Sequence, residues 1–342
     1  TIPDGSAHFD TKLWTGTGSA RSITMDNSSM SPDFVWIKAR SASYNHYLYD
    51  TIRGATKELY SNTYGPEQTD ADNLTSFDSN GFSLGPDAGV NQSAKTYVGW
   101  VWNAGTSSPA SNTDGSITST VKANQTAGFS IVSWTGTGSL ATVGHGLNAV
   151  PEFMAVKNRN SSGNTNWCVY HVGLTSAQYT LGFDSSYFED PNDPTWGSTA
   201  PTNSVFTVKT RASANESGKN MIGYIFTPVS GFSSFGKYTA NGSSDGPYVH
   251  TGFAVAWLLT KRINSSGSWE IHDLRRPGYN PQDGRLFPDS TAQDGSGNDV
   301  DLLSNGFKIR NSFSGMNGSN NDTYVYAAFA SNPFSANGGL AR

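Results

Sequence analysis

Apolar and polar positions along the chain fall into short runs of about five to eight residues, rich in β-branched and aromatic side chains and bounded by Gly, Asn, Ser or Pro, which is the pattern of strands. Phe129-Ser130-Ile131-Val132-Ser133-Trp134 alternates for most of its length and predicts a strand with one face on a core and one in water. Phe34–Ile37 is apolar throughout and predicts a central strand covered on both sides. No sustained helical periodicity is present; Gly54–Ser61 reads equally as a short helix or a strand.

These runs recur in order. Trp14-Thr15-Gly16-Thr17-Gly18 returns as Trp134-Thr135-Gly136-Thr137-Gly138 and, weakened, as Tyr238-Thr239-Ala240-Asn241-Gly242. Each opening is followed by an apolar run ending in a cation, at Lys38, Lys157 and Lys261. An alternating segment comes next: Tyr47–Asp50, Cys168–His171 and Glu270–Asp273. Then come Ser79–Leu84, Asn203–Val208 and Ser304–Ile309, and finally an aromatic closing strand at Thr96–Trp102, Asn220–Phe226 and Thr323–Phe329. A period of about 100 residues exceeds the 20–50 of solenoid units, so each copy is expected to be a β-sandwich with its own core. The expected fold is all-β: three tandem antiparallel β-sandwich domains, jelly-roll or lectin-like, from internal triplication. The expected boundaries are 1–105, 116–229 and 230–342, with a polar linker at 106–115 and a glycine-rich tail after Pro333 that extends or frays.

Composition narrows the function. Charged residues are 14% of the chain, below the roughly 25% of typical soluble domains, while 37 glycines and many Ser, Thr and Asn suit strands joined by turns. Aromatics at 12% argue against disorder. A net charge of −5 without a basic run argues against nucleic-acid binding. No apolar stretch approaches the ~20 residues of a membrane helix, and the polar start Thr1-Ile2-Pro3-Asp4-Gly5 predicts no signal peptide.

Candidate chemistry is sparse. The Trp-Thr-Gly-Thr-Gly phrase lacks the third glycine and following helix of a dinucleotide fingerprint and reads as a strand ending in a glycine turn. His8, His46, His145, His171, His250 and His272 show no zinc-ligand spacing. His145 and His250 read as hydrogen-bonding turn residues, and His272 falls in the slot of Tyr49 and Tyr170. Cys168, the single cysteine, shares its slot with Tyr47 and Glu270 and reads as a packed side chain. The loop Asp294–Asp301 is dense in oxygen donors and raises calcium as a question, with a solvated turn as the default. Tyr44, Tyr47, Tyr49, Tyr60 and Tyr64 cluster in the first copy, as subunit packing or, secondly, a sugar-stacking surface. No catalytic, cofactor or metal residue is assigned.

Several of these words together carry a resemblance: Trp14–Gly18, Pro32–Lys38, Tyr49-Asp50-Thr51-Ile52-Arg53-Gly54-Ala55-Thr56-Lys57, Leu74–Phe82 and Tyr97–Trp102, with Asn112–Ile117 and Ala127–Val132 in the second copy. The chain resembles a family of repeated β-domains in virion proteins of tailed bacteriophages, especially marine and cyanobacterial phages. The second copy departs from it, carrying Leu174–Tyr179 where the first has Arg53–Lys57. The resemblance implies a non-enzymatic virion structural protein exposed on the particle. A tail position (fibre, spike or baseplate periphery) is the first expectation and a head-surface decoration the second. A carbohydrate-binding receptor module is the rival of another class. The expected partners are other virion proteins and further copies of the chain, a trimer in a fibre, with a host surface glycan as a candidate contact. No cofactor, nucleic acid or membrane insertion is expected.

Overall fold

The computed structural model describes residues 2–330 apart from 161, 162, 164, 192 and 193; the tail after Pro333 lies outside these residues. The first lobe contains β1 (Phe9–Thr15), β2 (Arg21–Thr24), β3 (Phe34–Ala39), β4 (His46–Asp50), β5 (Lys57–Tyr60), β6 (Gln68–Thr69), β7 (Leu74–Asp78), β8 (Gly81–Leu84) and β9 (Thr96–Trp102). The second contains β10 (Ala110–Asn112), β11 (Ser119–Asn124), β12 (Phe129–Thr135), β13 (Ala141–Gly144), β14 (Phe153–Asn158), β15 (Cys168–His171), β16 (Val205–Val208) and β17 (Asn220–Phe226). In the third are β18 (Ser233–Thr239), β19 (Tyr248–His250), β20 (Trp257–Arg262), β21 (Trp269–Asp273), β22 (Val300–Leu303), β23 (Gly306–Ile309) and β24 (Thr323–Phe329). Two four-residue helices, α1 (Ala88–Asn91) and α2 (Ala212–Asn215), interrupt them. The ambiguous stretch at 54–61 resolves as a turn leading into β5. The stretch read as a linker contains β10, which pairs with β11.

One antiparallel order occurs in all three lobes: β1-β9-β3-β4, β12-β17-β14-β15 and β18-β24-β20-β21. Extra edge strands widen the first two of these sheets, and each is faced by a smaller sheet: β2-β8-β7, β13-β16 and β19-β23-β22. Pairing places the repeated words in the same register, with Trp14 opposite Tyr97, Trp134 opposite Met221 and Tyr238 opposite Tyr324.

The glycine turn after each opening strand has a physical cause. A buried asparagine receives the backbone N–H of residue 17, 137 or 241 on its Oδ1: Asn91 at 3.0 Å, Asn215 at 2.9 Å and Asn317 at 2.9 Å. Its amide donates to the carbonyl of Ser19, Ser139 or Ser243, each at 2.7 Å. Gly18, Gly138 and Gly242 take φ of +70°, +71° and +65°, which glycine adopts without strain. A Cβ on Gly16 would lie 2.2 Å from the Gln92 carbonyl oxygen, so the close approach also demands glycine.

Each lobe has a core between its two sheets, as expected for a β-sandwich, and beyond that expectation the three lobes also share a core. Alternate residues of the large sheets face the other way into a fourth and larger cluster that draws on all three lobes. In β3, Val35 and Ile37 face the lobe core while Phe34 and Trp36 face the shared one. β12 divides Val132 and Trp134 from Phe129 and Ile131. That strand is therefore covered on both faces from Phe129 to Val132; Ser130 is fully buried. A cavity of about 30 Å³ lies where the lobes meet, lined by Phe34, Trp36 and Trp102 of the first, Phe153, Tyr224 and Phe226 of the second, and Trp257, Leu259 and Phe329 of the third. The apolar runs are apolar on both faces because both faces are covered.

Candidate functional site

The seams between lobes follow one rule around a closed ring. The cation ending each apolar run is fully buried, and its ammonium crosses to a neighbouring lobe. Lys38 Nζ donates to Thr291 O at 3.1 Å, Lys157 Nζ to Tyr64 O at 2.9 Å and Lys261 Nζ to Ser186 O at 3.2 Å. Each also donates within its own lobe, to Ala39 O, Thr165 O and Gly267 O respectively. Burial lowers all three lysines to about 8, opposed by Asp294, Asp184 and Asp289 respectively. A backbone bridge runs beside each lysine: Asp294 N to Arg40 O at 2.8 Å, Glu67 N to Arg159 O at 2.9 Å, and Glu189 N to Ile263 O at 3.0 Å. Lobe one thus holds lobe three, two holds one, and three holds two.

A second set of ties starts at the last residue of β4, β15 and β21. Asp50 accepts from Tyr224 Oη at 2.8 Å, His171 Nε2 donates to Tyr326 O at 2.9 Å, and Asp273 accepts from Trp100 Nε1 at 3.0 Å. Asp50 and Asp273 each carry a fully buried arginine three residues on, Arg53 and Arg276. The second lobe has Leu174 there, so its tie depends on a neutral imidazole. Gly173 N donates to His171 Nδ1 at 2.9 Å, which leaves no room for a second proton on the ring. Burial first, and Lys237 in addition, lower His171 to about 4, against the hydrogen bond to Tyr326.

A pH dependence follows. The unfolded histidine takes a proton near 6.5 and the folded one only near 4, so stability falls as pH drops through that window, by up to about 3 kcal/mol. Denaturant midpoints of wild type and His171→Gln at pH 7 and pH 4.5 check this: the wild type is expected to show the steeper acid loss.

The residues singled out from sequence fall as follows. Cys168 is a buried packing residue in the core of the second lobe, opposite Val156. His145 is a turn residue: its Nε2 donates to Thr202 O at 3.2 Å and its Nδ1 accepts from Leu147 N at 3.3 Å. His250 instead ends β19, paired with Gly306. Of the five clustered tyrosines only Tyr64 is exposed. Tyr49 and Tyr60 donate to the buried Glu58, which also accepts from Asn73 Nδ2 at 2.9 Å. The acids of the 294–301 loop do not converge: Asp294 pairs with Arg40 and Arg276, Asp301 with Arg310, and Asp299 turns inward.

Asp299 leads to a cluster that the sequence did not reveal. Glu270 and His272 alternate on β21, on the face opposite Trp269 and Ile271, which enter the shared core. Ligand atoms of Glu270, His272 and Asp299 lie within 4.8 Å of one another, all buried. His272 Nε2 is 3.3 Å from Asp299 Oδ2. Asn311 Nδ2 donates to Asp299 Oδ1, and Arg285 Nη1 lies 3.3 Å from both Asp299 oxygens. Neither oxygen of Glu270 nor Nδ1 of His272 has a hydrogen-bond partner among the described residues. Burial, reinforced by Asp299 and opposed by Arg285, pushes the Glu270 carboxyl up to about 8. The legible signal was the change from Tyr47 and Cys168 to Glu270 in one slot, and from Tyr49 and Tyr170 to His272 in the next but one.

Fold and seams together define an all-β protein of three like-ordered lobes closed into one body. The chain belongs to the family described as domain of unknown function DUF7483, which it matches over residues 4–333, a span that takes in all three lobes. No curated protein and no solved structure matches it.

Proposed function

We propose that the chain is a non-enzymatic structural protein of a tailed-bacteriophage virion, displayed on the particle, with a tail position preferred over head decoration. The observation that carries the reading is the ring of lobes. One chain repeats its seam contacts around a centre, a form suited to a threefold-symmetric support such as a fibre or spike. Burial of the edge strands β15 and β21 and of charged groups at the seams suits a particle that persists outside a cell without disulfides. The sequence words shared with phage β-domain proteins point the same way. Further copies of the chain and other virion proteins are the partners this reading requires.

Electron microscopy of purified particles labelled with antibody to this chain tests it. Label at the tail is expected; label confined to the head selects the decoration role; particles that carry none of the protein overturn the reading.

A further inference from the structure

We propose that the third lobe binds one divalent transition-metal cation, Zn²⁺ by its donor set, between Glu270, His272 and Asp299. The three lobes supply the comparison. In the first, the same pocket also holds a buried carboxylate, Glu58, and the chain satisfies it with Tyr49, Tyr60 and Asn73. In the second the pocket is apolar, with Cys168 and Tyr170 in the slots of Glu270 and His272. Among the described residues, only in the third do two carboxylates and an imidazole converge, and there Glu270 and His272 keep acceptor atoms without partners although both are fully buried.

An unpaired buried carboxylate is costly, and a cation is the group that would pair it and the imidazole together. A mixed nitrogen and oxygen set favours zinc and its neighbours over calcium or magnesium, which take oxygen alone. Asn311 and Arg285 hold Asp299 from behind, as outer partners hold metal ligands elsewhere. The backbone of Gly315 backs onto the Glu270 carboxylate: a Cβ there would come 1.6 Å from Oε1. With all three donors buried, the cation enters as the lobe folds.

The full chain, unfolded in denaturant with EDTA and refolded with ZnCl₂, CaCl₂ or EDTA, tests this by native mass spectrometry and by its unfolding midpoint. Wild type refolded with zinc is expected to hold one ion per chain and to unfold at a higher midpoint than in EDTA, with calcium giving neither effect. Glu270→Gln is expected to weaken zinc binding by more than about 100-fold and to unfold at one midpoint in all three conditions. Asp299→Asn serves as the second variant if Glu270→Gln fails to refold. Wild type that retains no zinc, zinc retained undiminished by the variants, or calcium acting as well as zinc would each overturn the proposal. The virion reading does not depend on the outcome.

Discussion

Phe329→Ala is expected to destabilise the whole chain by about 3–5 kcal/mol, the range for truncating a buried aromatic that leaves a cavity. Phe329 ends β24, and its ring meets Phe9 at 5.4 Å and Trp102 at 5.7 Å in the first lobe, Phe226 at 5.6 Å in the second, and Trp257 at 5.7 Å in its own. The new space opens onto the existing cavity beside it, and the loss grows with the volume that the neighbours fail to fill. Because the ring contacts every lobe, the midpoint should shift as one transition for all probes rather than splitting. Denaturant unfolding followed by tryptophan fluorescence and far-ultraviolet circular dichroism measures both points.

Arg53→Met should cost a similar amount, about 3–5 kcal/mol, through a different mechanism. The guanidinium is fully buried and pairs with Asp50, while Nη2 donates to Leu48 O at 2.7 Å and Tyr224 Oη at 3.2 Å, and Nη1 to Lys57 O at 3.0 Å. Removing it strands the Asp50 carboxylate at the seam with the second lobe and leaves two carbonyls without their donor. Adding Asp50→Asn to Arg53→Met removes the stranded charge and should recover part of the loss. A double-mutant cycle on the unfolding midpoints gives the coupling, and additive single effects would contradict this account of the seam.

Much of the architecture was legible because strands leave a short-range signature. The five repeated words became strands in matching register, and the slots of Tyr47, Cys168 and Glu270 coincide as the sequence suggested. The glycine turn was legible too, but not Asn91, Asn215 and Asn317, the long-range clamps that hold it. The shared core was hidden for a specific reason. Ser130 and Ser133 in β12 give the alternation of a half-wet strand, yet Ser130 is buried on the side of Val132 and Trp134 in its own lobe, and the opposite face, with Phe129 and Ile131, enters the shared core. Lysines 38, 157 and 261 were legible as the cation that ends each apolar run, but their role depends on carbonyls far away in sequence. The Glu270, His272 and Asp299 cluster joins a strand to a loop that reads, by composition, as solvated.

The central claim is that the three lobes stand or fall together, since each lends a face to one core and a lysine to one seam. Native-state hydrogen exchange read by mass spectrometry tests it most directly. The account predicts that amides of β3, β14 and β20, one strand from each lobe, exchange through a single opening of equal free energy. If one of these strands exchanged through a much cheaper opening while the other two stayed protected, the lobes would be independent domains and the account would be contradicted.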